Sequence, residues 1–168
     1  MICIIPARKN SKGLKFKNRR KINNISLVNN ALSSALKSRE IKNIILTTDD
    51  NYLINNSIKS KKIMINKRPS RLAKDNTSAL DVYLYCLEKY EKNINKKTSF
   101  CVFLPTAPFR NINHIDKAIK LFKKKKLNFL ISVERTRPIE FTFKKDKKNF
   151  MKKIQGVNWS IKNRQKLQ

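Results

Sequence analysis

The sequence predicts an α/β domain: a three-layer, mostly parallel sheet with helices on both faces. Short β-rich runs at 2–5, 43–48, 63–65, 100–104 and 129–133 alternate with stretches whose apolar residues recur at helical spacing. The runs are largely apolar rather than strictly alternating, which is what strands covered on both faces require. The chain has 168 residues, a length that suits one domain around one core.

Residues 2–5 form the first strand, closed by Pro6 and followed by a polar, basic stretch over 8–21. Loops of that length usually carry function. From Ser26 onward, Val28, Ala31, Leu32 and Ala35 fall at i, i+3, i+4 and i+7, the face of a helix ending near Ser38. Residues 43–48 read as a second buried strand, 52–60 as a helix and 63–65 as a third strand. Ser78 and Asp81 have capping-box spacing, and Leu80, Tyr83, Leu84 and Leu87 continue the helical stripe that follows. Residues 100–104 give the next strand, Ile115, Ala118, Ile119 and Phe122 a helix, and 129–133 a further strand. Beyond Pro138 the pattern turns polar and extended over 141–154, so 139–168 reads as an irregular lid or edge region of the same domain.

The formal net charge is +29, and a pI of about 10.4 would suit a phosphate-binding surface. The composition supplies a plainer source, because 30 Lys, 20 Asn and 20 Ile, all residues with A/T-rich codons, dominate the chain. Lys outnumbers Arg three to one, and the runs at 123–126 and 144–148 hold no aromatic. Nucleic-acid readers favour Arg at base edges and aromatics for stacking. A basic nucleic-acid-binding module therefore stands as the competing reading from another class. No apolar run approaches the roughly 18 residues of a membrane span, and Met1 leads straight into a strand without a basic leader, so a soluble, cytoplasmic protein is expected.

Cys3, Cys86 and Cys101 are odd in number, widely spaced and set in apolar segments, as reduced core thiols are. With no CxxC and with His114 as the one histidine, a zinc site has no support. Gly13 and Gly156 are the only glycines, which excludes glycine-fingerprint dinucleotide loops. A phosphate cradle would have to be built from Lys and Arg around one glycine. In open parallel sheets ligands bind beyond the carboxyl ends of the strands. The clusters at 7–13, 48–50 and 105–110 lie at such ends and are expected to converge.

The run Ile5-Pro6-Ala7-Arg8-Lys9-Asn10-Ser11-Lys12-Gly13-Leu14, with Lys17-Asn18 after it, resembles the nucleotide-binding opening of the acylneuraminate cytidylyltransferases, the CMP-sialic acid synthetases. Thr47-Thr48-Asp49 is similar to that family's Ser-Thr-Asp strand end. Arg68-Pro69 with Leu72-Ala73-Lys74-Asp75 resembles its Arg-Pro and Leu-Ala-x-Asp segment, and Leu104-Pro105-Thr106-Ala107-Pro108-Phe109-Arg110 its Gln-Pro-Thr-Ser-Pro-Leu-Arg segment. Asn163-Arg164-Gln165 is similar to an Arg-Gln pair before the family's sugar-site strands. The motifs keep family order and spacing across nearly the whole chain.

The resemblance implies a nucleotide-diphospho-sugar-transferase-like, Rossmann-like form of the fold. It also implies a reaction in which CTP and a nine-carbon 2-keto acid sugar such as sialic acid give the CMP-sugar and pyrophosphate. Mg²⁺ is the implied cofactor and a homodimer the implied assembly, with no membrane and no specific nucleic-acid partner. Carried over by position, Ala7, Arg8, Ser11, Lys12, Gly13, Lys17, Asn18, Arg68 and Thr77 bind the nucleotide, and Arg8 and Lys17 take the catalytic role. Thr106, Arg110, Arg164 and Gln165 meet the sugar; the metal ligands stay open, with Asp49 a candidate.

The chemistry of these residue types agrees. Attack on the α-phosphorus moves negative charge onto the leaving pyrophosphate, which asks for positioning and cationic stabilisation. Arg8 offers a planar fork of donors, whereas Lys12 and Lys17 are point charges. Gly13 permits close backbone approach, and Asn18 can both donate and accept. Helix capping already accounts for Ser78, and His114 at a helix start reads as surface.

Three departures stand out. Leu104 occupies a position where the family usually has Gln, and Ala79 one where it often has Ser. The family continues past the Arg-Gln pair into an Asn-Gly strand and a late acidic motif that holds Mg²⁺, whereas this sequence stops at Gln168. A C-terminally truncated chain, without turnover, is therefore expected. Within the enzyme class the alternative is activation of another acid sugar: legionaminic, pseudaminic or octulosonic acid.

Overall fold

Short strands are stable only in a ladder, and the first one here is paired on both sides. In the computed structural model, which describes residues 1–11, 13–90, 98–133, 143–145 and 151–153, the chain divides into two units, Met1–Phe129 and Leu130–Gln168. The first unit begins with β1 (Ile2–Pro6), and a small hairpin follows from β2 (Lys21–Ile22) and β3 (Ile25–Ser26). Then come α1 (Leu27–Lys37), β4 (Asn43–Thr48), α2 (Asn51–Asn56), β5 (Ile63–Lys67), α3 (Ala79–Tyr90), β6 (Phe100–Val102) and α4 (Ile112–Lys124). The main sheet has the order β5-β4-β1-β6, with every pairing parallel, as the alternation of strands and helices predicts.

Alternate residues of the strands enter two different cores. Cys3, Ile5, Ile44 and Leu46 pack with Val28, Leu32 and Ala35 of α1, Leu53 of α2, and Ile115 and Ile119 of α4. Ile2, Ile4 and Ile45 pack on the other face with Val82, Cys86 and Leu87 of α3 and with Leu72. Two apolar layers against one sheet give the three-layer arrangement. The helix starts follow capping chemistry. Ser26 Oγ accepts from Asn29 N–H at 3.1 Å, Asp50 Oδ1 from Tyr52 N–H at 3.0 Å, and Asn111 Oδ1 from His114 N–H at 2.9 Å. Cys3 and Cys86 are buried free thiols and Cys101 is half-buried. Cys101 aligns with Cys3 across the β1/β6 ladder, and burial pushes the Cys3 thiol well up from its ordinary pKa.

The structure corrects three boundaries. Residues 129–133 form no strand; Phe129 is 76% exposed, and a β-rich composition becomes a strand only when a ladder receives it. The helix expected over 52–60 stops at Asn56, because Ser57 turns extended and its hydroxyl donates back to the Leu53 carbonyl. Within and just beyond the expected loop over 8–21 lie a 3₁₀ turn (Lys17–Arg19) and the β2–β3 hairpin. Asn23 and Asn24 both adopt positive φ, 48° and 63°, as a two-residue hairpin turn demands. In the second unit, β7 (Phe143–Lys145) pairs antiparallel with β8 (Met151–Lys153); the rest of 139–168 lies outside the described residues. Among the described residues no helix is long and apolar enough to cross a membrane.

The ends of β1 and β4 are fastened together. Ala7 N–H donates to the Thr47 carbonyl at 2.9 Å, and Thr48 Oγ1 donates to the Ala7 carbonyl at 2.5 Å while accepting from Asp50 N–H at 3.1 Å. Thr48→Val keeps the shape and removes both bonds in a fully buried position. We expect a loss of about 1–3 kcal/mol in urea unfolding; an unchanged midpoint would show that the hydroxyl does not hold the strand ends.

Candidate functional site

From β1 the chain steps outward to β4 and β5, then crosses to put β6 on the opposite side of β1. The loops leaving the ends of β1 and β6 therefore diverge, and a crevice opens at such a reversal of strand order. A cleft of about 420 Å³ lies there. Pro6, Arg8 and Ser11 line it from the loop after β1, Lys17 and Asn18 from the 3₁₀ turn, and Arg68 from the end of β5. Thr77, Val82 and Tyr83 come from the start of α3, and Leu104, Pro105 and Thr106 follow β6.

Of the positions singled out in the sequence, the cleft gathers Arg8, Ser11, Lys17, Asn18, Arg68, Thr77 and Thr106. Ala7 instead lies in the core beneath, with its N–H and carbonyl both committed to β4. A Cβ at Gly13 would meet nothing within 4 Å, so the chain itself imposes no need for glycine there. Arg110 is not among the cleft residues: its guanidinium stacks 4.4 Å from the Phe103 ring centre and donates to the Leu104 carbonyl at 3.4 Å, and burial lowers its pKa. Lys12, Arg164 and Gln165 lie outside the described residues. His114 is exposed at the start of α4, and Ser78 Oγ accepts from Leu80 N–H at 3.2 Å.

Each wall is held by identifiable bonds. Asn18, 7% exposed, donates from Nδ2 to the Arg8 carbonyl at 3.0 Å. Asp49 Oδ1 accepts from Lys9 N–H at 2.7 Å, so the 48–50 cluster supports the first loop and does not line the cleft. Arg8 Nη1 reaches Asp75 Oδ1 at 2.5 Å, an exposed ion pair joining the loop after β1 to the loop before α3. Arg68 is 8% exposed; its Nη2 donates to the Thr47 carbonyl at 3.1 Å and its Nε to Thr47 Oγ1 at 3.4 Å. Burial pulls the Arg68 pKa down, and Asp49 pushes the other way. Thr77 Oγ1 donates to the Arg71 carbonyl at 3.3 Å.

Arg8, Lys17, Arg68 and Lys74 face this space with Asp75 as the one carboxylate among the lining residues. A concave surface with that balance concentrates anions. It is a poor cation site. Among the described residues no three His, Cys, Asp or Glu groups come together, Asp49 is engaged by a backbone N–H, and Asp75 by Arg8. Magnesium asks for several oxygen ligands in near-octahedral geometry, which this donor set does not provide.

Two features escape the sequence. Tyr83, placed there on an apolar helix stripe, lines the cleft half-buried, and burial raises its phenol pKa. Arg19 and Asp50 form a bidentate pair, Nε to Oδ2 at 2.7 Å and Nη2 to Oδ1 at 2.6 Å. The only signal for the pair is an aspartate at a strand end and one arginine inside a basic stretch.

Comparison with known proteins matches residues 2–158 to a family model described as Cytidylyltransferase. The chain is 33% identical over 139 residues to an N-acylneuraminate cytidylyltransferase of Escherichia coli O18:K1:H7, covering 81% of this chain and 32% of that protein. It is 34% identical over 100 residues to a CMP-N,N'-diacetyllegionaminic acid synthase of Campylobacter jejuni, covering 60% and 42%. It is 30% identical over 123 residues to post-translational flagellin modification protein B of Campylobacter coli, covering 73% and 52%. The chain thus spans between about a third and a half of the length of these curated relatives. A CMP:2-keto-3-deoxy-manno-octonic acid synthetase complexed with CTP superposes at a TM-score of 0.56 and 16% identity, over 74% of this chain and 48% of that one. That likeness concerns the fold.

The two ion pairs differ in burial, and their removal should differ accordingly. Asp75→Ala breaks an exposed pair and should change stability by less than about 1 kcal/mol. Asp50→Ala strands Arg19 and removes the α2 cap, for a loss of about 3 kcal/mol or more. Equal effects in urea titrations would contradict this ranking.

Proposed function

This chain belongs to the cytidylyltransferase family, and from that premise we propose that its cleft binds CTP for transfer of CMP to an acid sugar, with release of pyrophosphate. The observation that carries the reading is the gathering of Arg8, Lys17 and Arg68 beside Asn18 and Thr77 at the reversal of strand order, within the matched residues. In the proposed reaction a sugar hydroxyl oxygen gives up its proton to solvent and forms a bond to the α-phosphorus, and the bond to the pyrophosphate oxygen breaks, its electron pair leaving with the pyrophosphate. Negative charge grows on the leaving group, and fixed cations oppose its cost. Arg8 and Lys17 take that role, Arg8 exchanging Asp75 for phosphate oxygens. Ser11, Lys12 and the Gly13 backbone complete the proposed cradle above Ala7. Asn18 and Thr77 meet the nucleoside.

The sugar proposed is a nine-carbon 2-keto acid of the N-acylneuraminate kind. A second reading, an N,N'-diacetyllegionaminate-like acid, is favoured by the 34% identity to the Campylobacter jejuni relative. Thr106 lines the cleft and, with Arg164 and Gln165, is proposed to serve the sugar's carboxylate and hydroxyls, whereas Arg110, held on Phe103 and the Leu104 carbonyl, supports the loop that carries Thr106. Because the described carboxylates do not fit Mg²⁺, no step is assigned to a metal.

Thermal unfolding of the full chain with CTP, ATP and GTP tests the reading. A ligand at one hundred times its Kd adds about 2.7 kcal/mol of stability, so CTP should raise Tm where equal concentrations of the purines do not. Equal shifts, or a steep salt dependence of DNA binding without nucleotide preference, would favour the nucleic-acid module instead. Arg8→Ala and Lys17→Ala should each weaken CTP by about ten- to a hundredfold, the loss of one charge-assisted phosphate contact. None of Lys124, Lys125 and Lys126 lines the cleft. Changing all three to Gln should reduce polyanion binding yet leave the CTP Kd within about twofold at moderate salt.

A further inference from the structure

We infer that Arg19 and Asp50 are positioning residues for the nucleotide's phosphates: their ion pair fixes the 3₁₀ turn that carries Lys17 and Asn18 into the cleft. The inference rests on the nucleotide reading above and deepens it. A three-residue 3₁₀ turn has weak hydrogen-bond geometry and does not hold its own direction. This one also starts from Phe16 in the left-handed region at φ 53°, which a phenylalanine adopts only when its surroundings impose it.

Arg19 supplies the restraint. Its guanidinium lies 4.2 Å from the Phe16 ring centre and 4.8 Å from that of Tyr52, and its Nε and Nη2 both donate to one carboxylate. That carboxylate is itself held: Asp50 is 1% exposed, its Oδ1 accepts from Tyr52 N–H at the start of α2, and its backbone N–H donates to Thr48 Oγ1 at the end of β4. The turn is therefore anchored to the end of β4 across 31 residues of sequence. The next residues inward, Lys17 and Asn18, line the cleft, and Asn18 passes the restraint on to the Arg8 carbonyl. Arg19 and Asp50 themselves do not line it. Lysine could not substitute at position 19, because a single ammonium does not fork onto both oxygens and has no planar face to offer the Phe16 and Tyr52 rings.

Arg19→Lys and Asp50→Asn keep most of the volume, and Asn keeps a capping oxygen. Calorimetric titration of the full chain should show each weakening CTP by about tenfold or more while CMP, which lacks the outer phosphates and meets an Asn18 still held by its own bond to the Arg8 carbonyl, changes by less than about twofold. In a Lys17→Ala background Arg19→Lys should cost less than about twofold, because the phosphate-facing group it positions is gone and Asn18 keeps its own bond to the Arg8 carbonyl. Equal losses for CTP and CMP, or additive losses in the double variant, would reduce the pair to general stability and overturn the inference. Amide hydrogen exchange without nucleotide gives a separate readout. Exchange over 13–20 should rise by about tenfold in either variant with β1 and β4 unchanged. Unchanged exchange there overturns the positioning role even if the parent chain binds no CTP, an outcome that would by itself overturn the nucleotide reading.

Discussion

Ala7 is the point on which the site depends. There β1 runs out of strand, yet its N–H and carbonyl stay fastened to Thr47 and Thr48 of β4 while its methyl is buried in the core. A chain so fixed at the middle of a parallel sheet delivers its next residue, Arg8, to one place. Because β4 and β6 flank β1 and lead their loops apart, that place is a crevice and not a packed surface. The apolar layers on the two faces make the strand ends rigid enough for short polar bonds to aim side chains from them.

Charge is arranged in depth. Arg68 is buried on the Thr47 carbonyl, where desolvation makes its positive charge costly, and Asp49 offsets part of that cost from the neighbouring strand end. Arg8 and Asp75 sit further out, where water screens them. A buried cation with hydrogen bonds to neutral partners retains its field, whereas an exposed ion pair has spent much of its own. An incoming polyanion therefore meets a fixed charge below and an exchangeable one above.

Legibility in the sequence followed locality. The bounds of α1 were readable because Ser26 and Ser38 flank a clean stripe, and β4 because every residue from Ile44 to Thr48 is buried. The cleft residues close together in the chain, Arg8, Ser11, Lys17 and Asn18, were readable from their spacing after a strand; Arg68, Thr77 and Thr106 needed the family resemblance to join them. The strand expected over 129–133 failed because composition states only what a segment could do in a ladder. The Asn23–Asn24 turn is a true local signal, but its flanking strands have two residues each, too few to show a period. Arg19–Asp50 was hidden for the opposite reason. The arginine looks like one more cation until the fold supplies two aromatic rings and a buried carboxylate.

What the polar groups of the cleft still present is narrower than their residue types suggest. Asn18 has one amide hydrogen committed to the Arg8 carbonyl, and the Thr77 hydroxyl hydrogen points to the Arg71 carbonyl. A hydroxyl has one hydrogen, so Thr77 offers a ligand only its lone pairs. Leu104, half exposed where the resembling family has Gln, offers hydrocarbon. The cations are donors without direction beyond their own reach. Thr77 at the start of α3 thus offers an acceptor suited to a hydroxyl or amino hydrogen, while Arg8 and Lys17 along the first loop suit anionic oxygens. A nucleoside triphosphate carries those two demands at its two ends.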